Sequence, residues 1–179
     1  NTGFLCCTRC FSVHDAICTN QVFNGSKLHF IYSIDPGGVN TIFVNGEALV
    51  SKVQSSSIPG RRSEDILLLG AAPVLSDYTL WGSIKEFRIW NGVFGESTAR
   101  VSYQIGPDHV NNRLIYRSSD AESFQPITLP SGLLGSYEIL TVGSWARVPA
   151  SSLSDDLFYF GDSNSPATLS ARCSWNISS

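Results

Sequence analysis

A chain of 179 residues is long enough to bury a sizeable core and most often forms one domain. Its formal charge of −3 and pI near 5.5 leave no basic footprint, which makes nucleic acid and anionic membrane poor partners. Charged residues are only 15 %, with Lys at 27, 52 and 85 alone, a balance that suits a Ser/Thr/Asn-rich extracellular β-protein better than a cytosolic enzyme.

The chain opens without a visible signal peptide and has no Met, so it reads as a processed product or a piece of something longer. Residues 1–18, NTGFLCCTRCFSVHDAIC, hold Cys6, Cys7, Cys10 and Cys18; the fifth cysteine is Cys173. Cys7-x-x-Cys10 with Cys18 and His14 offers zinc-type ligands but lacks the second CxxC or HxxxH pair, and disulfides are the expected use. A strand over Phe4–Phe11 puts Cys6 and Cys10 on one face and Cys7 on the other, so adjacent Cys6 and Cys7 serve different partners. An odd count leaves one thiol free or pairs it with another chain. Two N-glycosylation sequons, at Asn24 and Asn176, add to the clustered Cys. Together they point to a secreted or cell-surface glycoprotein in an oxidising compartment.

Leu28, Phe30, Tyr32 and Ile34 share one face of a strand, with His29 and Ser33 opposite. A general-base role for His29 lacks a nearby nucleophile, so a structural or solvated histidine is expected. Asp35-Pro-Gly-Gly is a turn. Asn45-Gly46 between Thr41–Val44 and Glu47–Val50 is the strongest short hairpin signal in the chain. The polar stretch 54–65 follows, and its Arg61–Arg62 pair either grips a sulfated sugar or carboxylate or faces Glu64 and Asp65 in solvent. Ile66–Leu69 is a short buried strand closed by Gly70. In the run Trp81–Trp90 the parity of apolar positions slips between Ile84 and Phe87, which predicts a bulge near Lys85–Glu86. Gly95-Glu96-Ser97 then starts one short helix, ended by Gly106-Pro107.

These residues carry a resemblance. The order LLLG…WGSIKEFRIWNG…GPD, after the hairpin TIFVNGEAL, resembles the C-terminal half of a laminin-G-like (concanavalin A-like lectin) jelly roll over about Leu28 to Asp108. The resemblance implies an all-β antiparallel sandwich with one short helix. It says little about activity, because this fold serves adhesion, sugar binding and catalysis alike.

Beyond Pro107 the pattern restarts with strands at Leu114–Tyr116, Phe124–Leu129 (an edge, because of Pro126), Tyr137–Trp145, Leu157–Phe160 and Ala167–Trp175. ITLPSGLLGSYEILTVGSWARVP…LFYFGDS…ATLSARCSW is similar to the N-terminal half of the same family. Residues 1–109 thus read as the back of a jelly roll and 110–179 as its front, in inverted order. Three explanations stand: one period of a tandem array, a circular permutant closed within one chain, or an exchange of halves between chains. Neither half buries both faces of its strands, and an exposed edge recruits a partner. The resemblance also sets the Cys173 strand beside the Cys6–Cys10 strand, where a bridge from Cys173 to Cys6, Cys7 or Cys10 would staple front to back.

No paired carboxylates, G-x-S-x-G, H-E-x-x-H or phosphate-binding glycine loop is present, so an enzyme is not expected. No cofactor is expected; calcium held by Asp155, Asp156, Asp162 and Asn164 is the metal that the resemblance leaves open. Sugar binding needs an exposed aromatic platform. Trp81 and Trp90 are candidates, and Trp90 either serves as one or packs under the Asn91 turn or against a neighbouring module. The expected function is an extracellular interaction module of a repetitive or self-assembling, filament- or matrix-like protein, with adhesion or head-to-tail assembly as its work. Its partners are copies of itself or adjacent repeats. The alternative is a lectin domain whose partners are glycans. Nucleic-acid binding and membrane insertion are not expected.

Overall fold

Alternation of apolar and polar residues sets most elements of the computed structural model. It describes residues 3–8, 17–19, 25–53, 66–71, 82–106, 114–117, 121–122, 127–134, 137, 139–148, 154–161 and 168–175. The strands are β1 (Gly3–Thr8), β2 (Ile17–Cys18), β3 (Lys27–Ile34), β4 (Val39–Val44), β5 (Glu47–Val53), β6 (Ile66–Leu69) and β7 (Ser83–Trp90). One helix, α1 (Glu96–Ile105), separates these from β8 (Leu114–Arg117), β9 (Ala121–Glu122), β10 (Ile127–Thr128), β11 (Leu140–Arg147), β12 (Ser154–Gly161) and β13 (Thr168–Trp175). Among the described residues the fold is all-β with one short helix, as the sequence predicts.

Turn chemistry fixes the hairpins. Asn45 (φ 51°) and Gly46 (φ 86°) take the left-handed conformation of a tight two-residue turn. Asn45 also accepts the His29 N–H through Oδ1 at 3.0 Å and donates its own N–H to the His29 carbonyl at 2.8 Å. At the other end of β3, Asp35 Oδ1 accepts the Val39 amide at 2.8 Å, an Asx-type closure of the Pro-Gly-Gly turn. Helix α1 starts after Gly95 and stops at Gly106.

The strands form two antiparallel sheets. One runs β10-β6-β12-β13-β1-β2; the other runs β5-β4-β3-β11-β7-β8, with β9 also paired to β7. Both sheets draw on both parts of the chain. In the first, β12 and β13 lie between β6 and β1; in the second, β11 lies between β3 and β7. Without residues 110–179 each sheet would be cut through its middle. The first and last strands are direct neighbours, with Gly3 opposite Trp175.

One core takes side chains from both sheets: Phe30, Tyr32, Ile84, Phe87, Ile89 and Val142 from the second, with Leu67, Leu69, Leu157, Phe158 and Phe160 from the first. Phe87 sits 6.0 Å from the Phe158 ring, which is 5.0 Å from Phe160. Tilted aromatic pairs of this kind add about 0.5–1.5 kcal/mol each beyond the area they bury.

The parity slip in β7 is a bulge. Gly143 pairs with Arg88 and Trp145 with Lys85, so Ser144 faces two residues, and Glu86 takes a positive φ of 55°. Ser144 Oγ donates to the carbonyl of Lys85 at 2.9 Å, capping the group the bulge leaves loose. Three differences from the sequence reading follow from pairing that no local pattern encodes. The two-residue strands β2 and β9 exist only because β1 and β7 offer them edges. Strand β11 starts at Leu140 rather than Tyr137, whose amide instead donates to the Leu134 carbonyl in the preceding turn. Strand β10 lies at an edge and ends before Leu129 of the predicted 124–129, whose residues 124–126 lie outside the described residues.

Candidate functional site

Because Leu28, Phe30, Tyr32 and Ile34, Ile84, Phe87 and Ile89, and Val142 and Ala146 face the shared core, their alternates point outward from the seven-stranded sheet. Part of that outer face is covered. Ile31, Phe43 and Trp90 make a second apolar cluster with Phe94 and Ala99, which come from α1 and the segment before it. A buried hydroxyl chain fastens this cover. The Phe94 amide donates to Ser33 Oγ at 2.9 Å, Ser33 lies 2.9 Å from Thr141 Oγ1, and Thr141 donates to the Gly92 carbonyl at 2.6 Å. Thr141 spends its one proton on Gly92, so Ser33 must donate to Thr141.

Trp90 belongs to this cover. Its ring lies over Gly143, where an added Cβ would come within 3.0 Å of it, and packs 4.8 Å from Phe94. It is 1 % exposed. Trp90 is thus buried against Phe94 and Gly143, and the exposed platform that the sugar-contact reading of Trp90 needs is not found there. Its outward parity was right; the connection to α1 covers the face that parity pointed to.

Elsewhere on the outer face two rings reach solvent beside a buried one. His29 and Trp145 are cross-strand partners, with ring centroids 4.9 Å apart. Tyr103 of α1 lies 5.6 Å from Trp145 and 5.9 Å from His29. The Lys27 ammonium stands 4.8 Å over the Trp145 ring, a cation–π contact. Tyr103 is 37 % exposed and Trp145 partly exposed, whereas His29 is 2 % exposed. Burial lowers the His29 pKa from 6.5 to about 4, because a charged imidazole loses its hydration there.

Ser102 Oγ of α1 lies 3.3 Å from His29 Nε2. The sequence reading saw no hydroxyl near His29, since 73 positions separate the two. Ser102 is fully buried, so the contact seats the helix on the sheet and offers no nucleophile to solvent.

Positive charge gathers on the same face. Lys27 is directly opposite Arg147, Lys85 opposite Trp145, and Arg88 opposite Arg117. Glu86 bridges the last pair, at 2.6 Å from Arg88 and 3.0 Å from Arg117. The hydrogen bond from Arg88, then that from Arg117, outweighs desolvation and holds the Glu86 carboxyl below its usual pKa range.

Of the sequence-predicted site residues, Cys6 stands opposite Cys18, Cys7 opposite Ile17 on one side and Ala171 on the other, and Cys173 opposite Leu5. Cys18 is disulfide-bonded, which removes it from the zinc-ligand set. Asp155 and Asp156 occupy consecutive register positions on β12, opposite Cys173 and Arg172. Asn24, Asn176, Trp81, Cys10, His14, Arg61, Arg62, Asp162 and Asn164 lie outside the described residues. Lys27, Tyr103 and Trp145 were missed by the sequence reading. The only signal was the outward parity of Trp145 in a strand whose partner was not yet known. No protein-family model, curated protein or solved structure matches the chain.

Proposed function

We propose that the chain is an extracellular, non-catalytic structural and interaction module, built as a laminin-G-like jelly-roll sandwich with its halves in permuted order. It works within a repetitive or self-assembling protein, with copies or adjacent repeats of itself as partners. The observation that carries this reading is the antiparallel pairing of the first strand with the last, Gly3 opposite Trp175. A polar turn joining one end to the other would restore the family's strand order, and in a tandem array the same turn would link consecutive periods. Among the described residues β5 ends its sheet and exposes Leu49 and Val53, the kind of edge that recruits a further strand.

The test has two parts. A chain in the order 110–179 followed by 1–109 should fold to the same circular-dichroism spectrum and unfold in one cooperative transition. Two separate transitions would overturn the permuted reading. Light scattering of the natural order, with and without reductant, should show concentration-dependent oligomers. A monomer at every concentration would sink assembly.

A second reading, carbohydrate binding, is favoured by the exposed Tyr103 and partly exposed Trp145 rings beside Lys27. Aromatic faces with polar neighbours suit sugar rings. A glycan array tests it.

A further inference from the structure

We propose that α1 packs on the α1 of a second copy of this chain about a two-fold axis at Val101, with Leu49 and Val53 of β5 at the margin of the contact. This rests on the self-assembly reading above and names the surface that joins two copies side by side. A surface helix ordinarily turns its large apolar residues toward the core. Helix α1 does the opposite. Its buried residues are the small Ala99 and Ser102, while Val101, Tyr103 and Ile105 are exposed. Seating the helix on its sheet therefore leaves the larger part of its apolar surface unused.

The exposed residues gather on one side. Among the described residues the large apolar side chains left in water are Leu49, Val53, Val93, Val101, Tyr103 and Ile105, all from β5, from α1 or from the segment leading into it. The helix lies over Ile31 of β3 and Phe43 of β4. A Cβ on Gly46 would come within 2.9 Å of the Arg100 Cα, so the helix also abuts the β4–β5 turn. Phe43 faces the helix, and by alternation Val39 does too; Val53 stands opposite Val39 and so lies on the same side of the sheet. Together the six leave on the order of 500 Å² of apolar surface in water, the size at which a patch marks an interaction site. Two copies face to face bury twice that, which reaches the roughly 1,000 Å² that a specific interface needs.

The helix itself argues for a second copy as the occupant. Ser97, Val101 and Ile105 recur every four residues and are all exposed, so they form one ridge along the outward side. No charge lies on that ridge. The flanking Glu96 and Arg100 neutralise each other at 2.7 Å, so on a chain of net charge −3 two copies meet here without repulsion. The ridge also fits its own image: in an antiparallel crossing at Val101, Ile105 of each copy comes over the small Ser97 of the other. An unrelated partner would need only an apolar face, whereas this order of small and large residues is matched by the chain itself.

Sedimentation equilibrium of the whole chain measures the association. S97E and I105K each bring a charge into the contact twice per dimer and should weaken self-association at least about ten-fold. Both change exposed side chains, an acid near the helix start and a base at its end, where the helix dipole favours them. An unchanged circular-dichroism spectrum and urea midpoint check that the fold is kept. An equimolar mixture of the two variants sets Glu against Lys at one contact and keeps Ser against Ile at the other. It should recover association to within about three-fold of the wild type. Variants that associate like the wild type would overturn the surface, and weakened variants that the mixture does not rescue would overturn the pairing about Val101. Either result leaves self-assembly through the β5 edge or the chain ends standing; a wild type that is monomeric at every concentration would end both.

Discussion

Replacing His29 with Gln should flatten the acid side of the protein's stability profile. His29 is sealed between Trp145, Tyr103 and Ser102, and its Nδ1 has no hydrogen-bond partner. Its folded-state pKa is about 4 against 6.5 in the unfolded chain. The unfolded state therefore binds the proton first. The stability that His29 contributes by staying neutral is complete above the unfolded value. It falls as pH drops below 6.5 and stops falling near 4. The whole gap is worth about 3 kcal/mol at about 1.4 kcal/mol per pH unit. At about pH 5 the unfolded imidazole is charged roughly thirty to one while the folded one is about one-tenth charged, so about 2 kcal/mol is lost between about pH 7 and pH 5. Urea unfolding of the wild type and His29→Gln across that interval isolates the effect, because every other group titrates in both. The expected difference is a wild-type loss about 2 kcal/mol larger than the variant's. Parallel curves would refute the reasoning and place His29 in contact with water.

Two backbone positions give sharper tests. A Cβ on Gly82 would lie 2.0 Å from the Arg147 carbonyl oxygen and 3.3 Å from the Val148 Cα, and backbone of a paired strand cannot yield cheaply. Gly82→Ala should lower stability by at least about 2 kcal/mol in urea; a midpoint within error of the wild type would contradict the close approach. Asn45→Ala removes the acceptor of the His29 amide and keeps a side chain at positive φ, which should cost about 2 kcal/mol. Asn45→Gly relieves the backbone and loses only the hydrogen bond, about 1 kcal/mol; equal losses would mean that φ is not the constraint.

Local chemistry made the fold class and several elements legible. Asn45-Gly46 encodes its turn in two residues. The alternation in 28–34 assigns a core face that the structure keeps, and the broken parity between Ile84 and Phe87 announces the bulge at Glu86. Gly95 and Gly106 bracket the helix because a stop and a start are local backbone events. Each of these rests on contacts a few residues apart.

The outer face could not be read this way. Parity says that Trp90 and Trp145 both point away from the core, yet one is sealed and the other partly open. The difference lies in where α1 and its lead-in come down, fixed by the Ser33–Thr141–Gly92 chain across 108 and 49 positions. Insertion of β11 between β3 and β7 brings Arg147 beside Lys27 and Trp145 beside His29. Residues carry their own turn and face preferences along the chain, but which charges and rings become neighbours is decided by strand order, and strand order exists only once the two sheets close over their common core.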